Sequence, residues 1–219
     1  MCFSATGSFV ASVALAGIGA TSLARNRLAP VRFLAAVPLL FAAQQAAEGF
    51  VWLGLAQGDD TLSFRIAVKA FLGIALVVWP VWFPFSLLQV ELSPARRRWL
   101  RGLLGAGVAV SAYAAWLLAS RSQTARIVSH SIHYWFKGPD LLPDGVSVAV
   151  YLIPVAVPFF VSSQPLSRTM GYMLLFSMFA TVVIQRSALM SVWCFFAAIL
   201  SGLIYWATIR NSRVGHSLA

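Results

Sequence analysis

The chain has 219 residues, of which 60% are hydrophobic and only 10% charged, with a mean hydropathy of +0.82. Soluble domains carry about 25% charged residues, so a soluble globular protein is excluded and an integral membrane protein is expected. Sixteen Lys and Arg stand against six Asp and Glu, but they fall in short clusters between apolar runs. That pattern sets membrane orientation and argues against a nucleic-acid partner.

The first apolar run, 6–24, has no basic residue before it and Arg25 and Arg27 after it. It therefore reads as an uncleaved first span with the N-terminus outside, not as a signal peptide. Ser12, Ala16 and Ala20 recur at helical spacing and are expected to let a neighbouring helix approach. The second span, 31–56, carries Gln44, Gln45 and Glu48 within apolar sequence, with a kink expected at Pro38. It ends in the polar turn Gln57-Gly58-Asp59-Asp60.

Span three, 63–90, is long for one crossing and holds Pro80 and Pro84, so tilt or a break is expected. Arg96, Arg97, Arg98 and Arg101 form the strongest basic cluster and are assigned to the cytoplasm. The fourth span, 99–120, pairs Gly102 with Ala106 and Gly105 with Ala109, a pattern for close packing. An outer loop, 121–145, follows, with a short interfacial helix expected around His130, His133, Tyr134 and Trp135.

The fifth span is 146–163. As a single helix the remaining apolar stretch would run ~63 Å at 1.5 Å per residue, so it must fold back. Spans 168–185 and 188–209 are expected, with the turn at Gln185-Arg186-Ser187. The whole chain, 1–219, is thus one transmembrane domain: an all-α, integral membrane seven-helix bundle, N-terminus outside and C-terminus inside. Alternating the sides places ten Lys/Arg on the inner face and six on the outer, in keeping with the positive-inside rule. The expected location is the bacterial inner (plasma) membrane, multi-pass, with the lipid bilayer as surroundings and a homo-oligomer left open.

With this topology the chemically capable residues collect in the outer half. Cys2, Glu48, His130, His133 and Cys194 supply thiolate, carboxylate and imidazole, the ligand types of zinc or another transition metal. His130 and His133 would share a face if their segment were helical. Glu48 is the expected catalytic residue, as ligand or as base for a metal-bound water. Gln44 and Gln45 would line its wall, and Lys69, Tyr134 and Arg186 are supporting candidates.

Each candidate also has a plainer reading. Cys194, flanked by Trp193 and Phe195, fits as a small apolar residue; Cys2 fits as a frayed terminus; the histidines fit as interfacial anchors. Glu48 could simply pair with Lys69 or Arg186. The two cysteines make no disulfide framework, with a single bridge between them left open. No HExxH, GxSxG or phosphate-loop motif is present.

Four blocks, Met1 to Ala5, Gln44 to Gly49, His133-Tyr134 and Ser191 to Ala198, resemble a family of small prokaryotic membrane proteins. The resemblance spans nearly the whole chain and implies a multi-span fold but no activity. It is unlike the ceramidase and adiponectin-receptor hydrolases, which place paired histidines where Trp193-Cys194-Phe195 stands here.

Two functions follow as expectations. One is an outward-facing zinc-type site that activates water for hydrolysis or hydration of a lipid or small-molecule substrate. The alternative is a transporter or channel for a small solute, ion or proton with Glu48 as titrating group, or else a membrane sensor or complex subunit.

Overall fold

The architecture was obtained as a computed structural model, which describes residues 4–26, 29–58, 61–128, 131–138, 144–164, 166–184 and 202. Four helical stretches in it are long and apolar enough to cross a membrane: Ala5–Arg25, Pro30–Gln57, Leu62–Val90 and Pro94–Ser120, with a shorter apolar helix at Gly145–Val161. The last expected span, 188–209, lies outside the described residues apart from residue 202.

Helix α1 (Ala5–Arg25) starts where the Ser4 hydroxyl accepts a hydrogen bond from Gly7 N at 3.1 Å, a side-chain cap for an otherwise unpaired amide. It runs antiparallel to α3 (Val37–Gln57). The expected seam is displaced. Ser8, Ala11, Leu15, Gly19 and Ser22 are buried, whereas Ala20 is exposed. The small residues still matter at the contact: Ser12 Oγ donates to Ala42 O at 2.8 Å, and Gly19 lies against Leu39.

The expected kink in span two is a break. Helix α2 (Ala29–Ala35) stops at Ala36, and α3 restarts with Pro38 in its first turn, where a missing N–H costs nothing. Gly58 ends α3 at φ 68°, the left-handed cap position that glycine adopts without strain.

Span three is interrupted rather than merely tilted. Helix α4 (Leu62–Leu72) passes into a π-helical segment, Gly73–Val78, and continues as α5 (Trp79–Val90). The reason is chemical. Trp79 N donates to Ile74 O, five residues back, and the next residue is Pro80, which has no N–H to continue that register. The carbonyl left over, Ala75 O, accepts instead from Tyr151 Oη at 2.6 Å, and Val77 O accepts from Ser111 Oγ at 2.6 Å.

Helix α6 (Pro94–Ser120) begins five residues before the expected span, so that Arg96, Arg97, Arg98 and Arg101 occupy its first turns. Gly102, Gly105 and Ala109 are exposed and make no close seam. The tight contact is Gly107, where an added Cβ would collide with Pro80 O. Pro84 cannot donate to that carbonyl from one turn ahead, and the bare glycine lets the α6 backbone close over it.

The expected outer loop with an interfacial helix is instead an antiparallel hairpin, β1 (Gln123–Val128) and β2 (Ser131–Phe136), paired from Gln123↔Phe136 to Val128↔Ser131. Ala125 and Ile132 join Ala47, Val51, Val68 and Phe71 in one apolar cluster at this end of the bundle. Helices α7 (Asp144–Val161) and α8 (Ser167–Ile184) pack on the other side. The larger core is built around an aromatic column: Trp79 between Phe41 (4.2 Å) and Phe83 (4.9 Å), and Phe83 edge-on to Phe159 (5.1 Å).

Candidate functional site at Glu48

Glu48 is completely buried, at 0% exposure, on α3. Helical geometry explains how its wall is made. At 100° per residue, Gln45, Glu48 and Trp52 share one face, set between the face turned to α1 (Ala42, Gly49) and the face turned to the hairpin cluster (Ala47, Val51). Gln45 Nε2 donates to Glu48 Oε2 at 3.2 Å. Gln44, one turn back, accepts from the indole Nε1 of Trp79 at 2.8 Å and so ties this wall to the end of the π segment.

Two further buried polar atoms lie at the same level. Trp52 Nε1 and Ser8 Oγ have no hydrogen-bond partner among the described residues. Trp52 is one turn from Glu48. Ser8 precedes Phe9, which packs on Gly49 of α3. Buried donors of this kind normally have a partner, protein or water, and an exception calls for an explanation.

Lys69 is exposed, and no ion pair joins it to Glu48 among the described residues. Tyr134 stacks on Phe71 at 4.8 Å and 13°, facing the α3–α4 side. Strand alternation then turns its neighbour His133 to the opposite face of the hairpin, where it packs against Trp135 at 5.4 Å. Because His133 is in a strand, a helix bringing it onto one face with His130 is not formed at that position. Burial holds the His133 imidazole below its ordinary value, and its Nε2 has no partner among the described residues. A neutral imidazole is the form that can ligate a metal.

Among the described residues no three His, Cys, Asp or Glu side chains come close enough to hold a metal ion. Cys2, His130, Arg186 and Cys194 lie outside the described residues.

Sequence reasoning missed a second buried carboxylate. Glu91, 1% exposed, follows α5 at the opposite end from the hairpin. Its Oε1 accepts from Ser93 N (3.1 Å) and Ser163 Oγ (2.7 Å), and its Oε2 accepts from Ser163 N (2.6 Å) and Ser162 Oγ (3.3 Å). Burial pushes its carboxyl up, but these four bonds, led by those from Ser163, outweigh it and hold the group below the ordinary carboxylate range. Arg97 Nη1 bonds Leu88 O at 2.8 Å and Glu91 O at 2.9 Å, capping α5. A lone acid beside three arginines, followed by Ser-Pro, was the available signal. Glu91 staples the α5–α6 turn to the α7–α8 turn.

A family model matches residues 1–218. The chain belongs to the family of unknown function DUF6629. No curated protein and no solved structure is similar to it. Membership in DUF6629 accords with a resemblance running the length of the chain, and brings no reaction with it. The roles of Glu48 and Glu91 therefore rest on their surroundings alone.

Proposed function

We propose that this DUF6629 member is a seven-span protein of the bacterial inner membrane, N-terminus outside, that moves protons or a small cationic solute through the Glu48 centre. One observation carries the reading: a completely buried carboxyl on α3 shares its face with Gln45 and Trp52, and Gln44, one turn back, ties that helix to a span broken by a π segment. An ionisable group at that depth costs at least ~2.5 kcal/mol on insertion scales, which a packing role does not require. Interrupted helices beside such a group are the usual building blocks of intramembrane ion sites. Proteoliposomes containing trapped pH dye and subjected to an imposed proton gradient test it. Wild type dissipates the gradient faster than Glu48→Gln, and equal rates refute the proposal.

The second reading is a zinc-type site formed by Cys2, Glu48, His130, His133 and Cys194, serving hydrolysis or hydration. The buried Nε2 of His133 favours it. Metal analysis of the purified protein distinguishes the two: a content near one ion per chain, lost in Cys2→Ser and His133→Ala, supports the metal centre. A metal content indifferent to both changes removes it.

A further inference from the structure

At the hairpin end, a groove of about 720 Å³ opens between the end of α3, the start of α4, the end of α6 and the hairpin. Five cationic residues from four separate elements line it: Arg65 and Lys69 on α4, Arg121 after α6, Arg126 on β1 and Lys137 after β2. No described lining residue is acidic. Asp59 and Asp60, next in sequence to the lining residue Gly58, and Asp140, three residues after Lys137, lie outside the described residues; counted against the five cations in full, these three acids leave an excess of two positive charges. Five of the six cations assigned to this side of the bundle are thus gathered into one depression, although orientation would be served equally well by dispersing them.

The groove also takes in the first turns of α4. Arg65 stands one turn into α4, where the helix dipole is positive and a basic residue is disfavoured. The same dipole attracts an anion. Beside the cations, Leu55, Phe64 and Val68 give the groove an apolar wall. Beside it, Leu62 and Ile66 on α4 are 74% and 58% exposed, consistent with a lipid-facing surface. Cations beside an apolar wall at the end of a membrane-crossing helix suit an anionic phospholipid, whose charged headgroup adjoins its chains.

We infer that this groove binds the phosphodiester headgroup of an anionic phospholipid, with the first methylenes of its acyl chains against Leu55, Phe64 and Val68. The site is separate from the Glu48 centre and does not depend on what that centre does. Lys69, Arg126 and Lys137, all exposed, form the part that can be altered without disturbing the core.

Native mass spectrometry of the full chain in detergent, titrated with phosphatidylglycerol or phosphatidylcholine of identical chains, tests the assignment. Phosphatidylglycerol should bind at least ten-fold more tightly. Each neutralisation among Lys69→Gln, Arg126→Gln and Lys137→Gln should weaken it about five-fold, and the triple variant about 100-fold, at roughly one headgroup-level interaction per cation. The triple change Arg96→Gln, Arg98→Gln, Arg101→Gln at the opposite end should leave the preference intact. Equal binding of both lipids overturns the inference, as does an equal loss in the opposite-end control. Displacement of phosphatidylglycerol by millimolar inorganic phosphate would assign the groove to a soluble anion and overturn the lipid assignment.

Discussion

Replacing Glu91 by Gln preserves size and shape and removes only the second acceptor oxygen. In wild type each carboxylate oxygen takes one backbone N–H, Ser93 N on Oε1 and Ser163 N on Oε2, together with one hydroxyl. The hydroxyls can rotate to accept from an amide, but the backbone N–H groups cannot. Whichever way the new amide turns, its NH₂ faces one of them. A buried unsatisfied donor costs about 1–3 kcal/mol, and the remaining bonds lose their charge assistance, so Glu91→Gln should destabilise by about 2–4 kcal/mol. For a chain of this length that is a fall in Tm of about 5–15 °C, read by dye-based thermal unfolding in detergent. The pH dependence gives a second readout. A carboxyl held below its ordinary value near 4.5 contributes stability that is full above that value and is lost as pH falls through the lower folded pKa. Wild type should therefore lose stability below about pH 4.5, and Glu91→Gln should lack that component. A variant as stable as wild type at neutral pH would refute the staple, because no other geometry of the amide satisfies both backbone donors.

The π segment makes its own predictions. Tyr151→Phe and Ser111→Ala each strip a hydroxyl from a carbonyl of the interrupted span and should cost about 1–2 kcal/mol apiece, seen as lowered thermal midpoints. Gly107→Ala drives a methyl into Pro80 O and should cost about 3 kcal/mol, more than a Gly→Ala change gains in helix propensity; an unchanged midpoint would show that α6 is free to move away. Gly102→Ala, at an exposed position with nothing near the added methyl, should be neutral or stabilising in the same assay.

How much of this was legible depended on the range of the interaction. Length and hydropathy located the ends of the long helices to within a few residues, because membrane insertion requires some twenty apolar residues whatever they pack against. The seams were misplaced for the opposite reason. Small residues at i and i+4 state that a close approach is possible, and α6 offers three such faces, but only the one bearing Gly107 meets a proline-freed carbonyl. The hairpin was missed because its alternation is carried by few residues, and Ser131 to Phe136, with its histidine and three aromatics, reads equally well as an interfacial helix.

The two buried acids differ in the same way. Glu48 stands inside an apolar helix, so its cost is visible locally and its glutamines are close in sequence, at i−4 and i−3. Glu91 sits at a span boundary, where acids are common, and its importance comes from Ser162 and Ser163, more than seventy residues on. Trp79 is a further case, because its indole N–H connects α3 to the π segment across 35 residues of sequence. That link joins the interruption to α3: a change of register between Gly73 and Val78 would rotate Trp79 about the helix axis and pull on Gln44, one turn from Glu48. Trp79→Phe keeps the aromatic column and cuts the link, so it should spare most of the stability while altering any Glu48-dependent flux. If Trp79→Phe leaves that flux at the wild-type rate, the π segment and the carboxyl act independently and the interruption serves only the packing of α6 and α7.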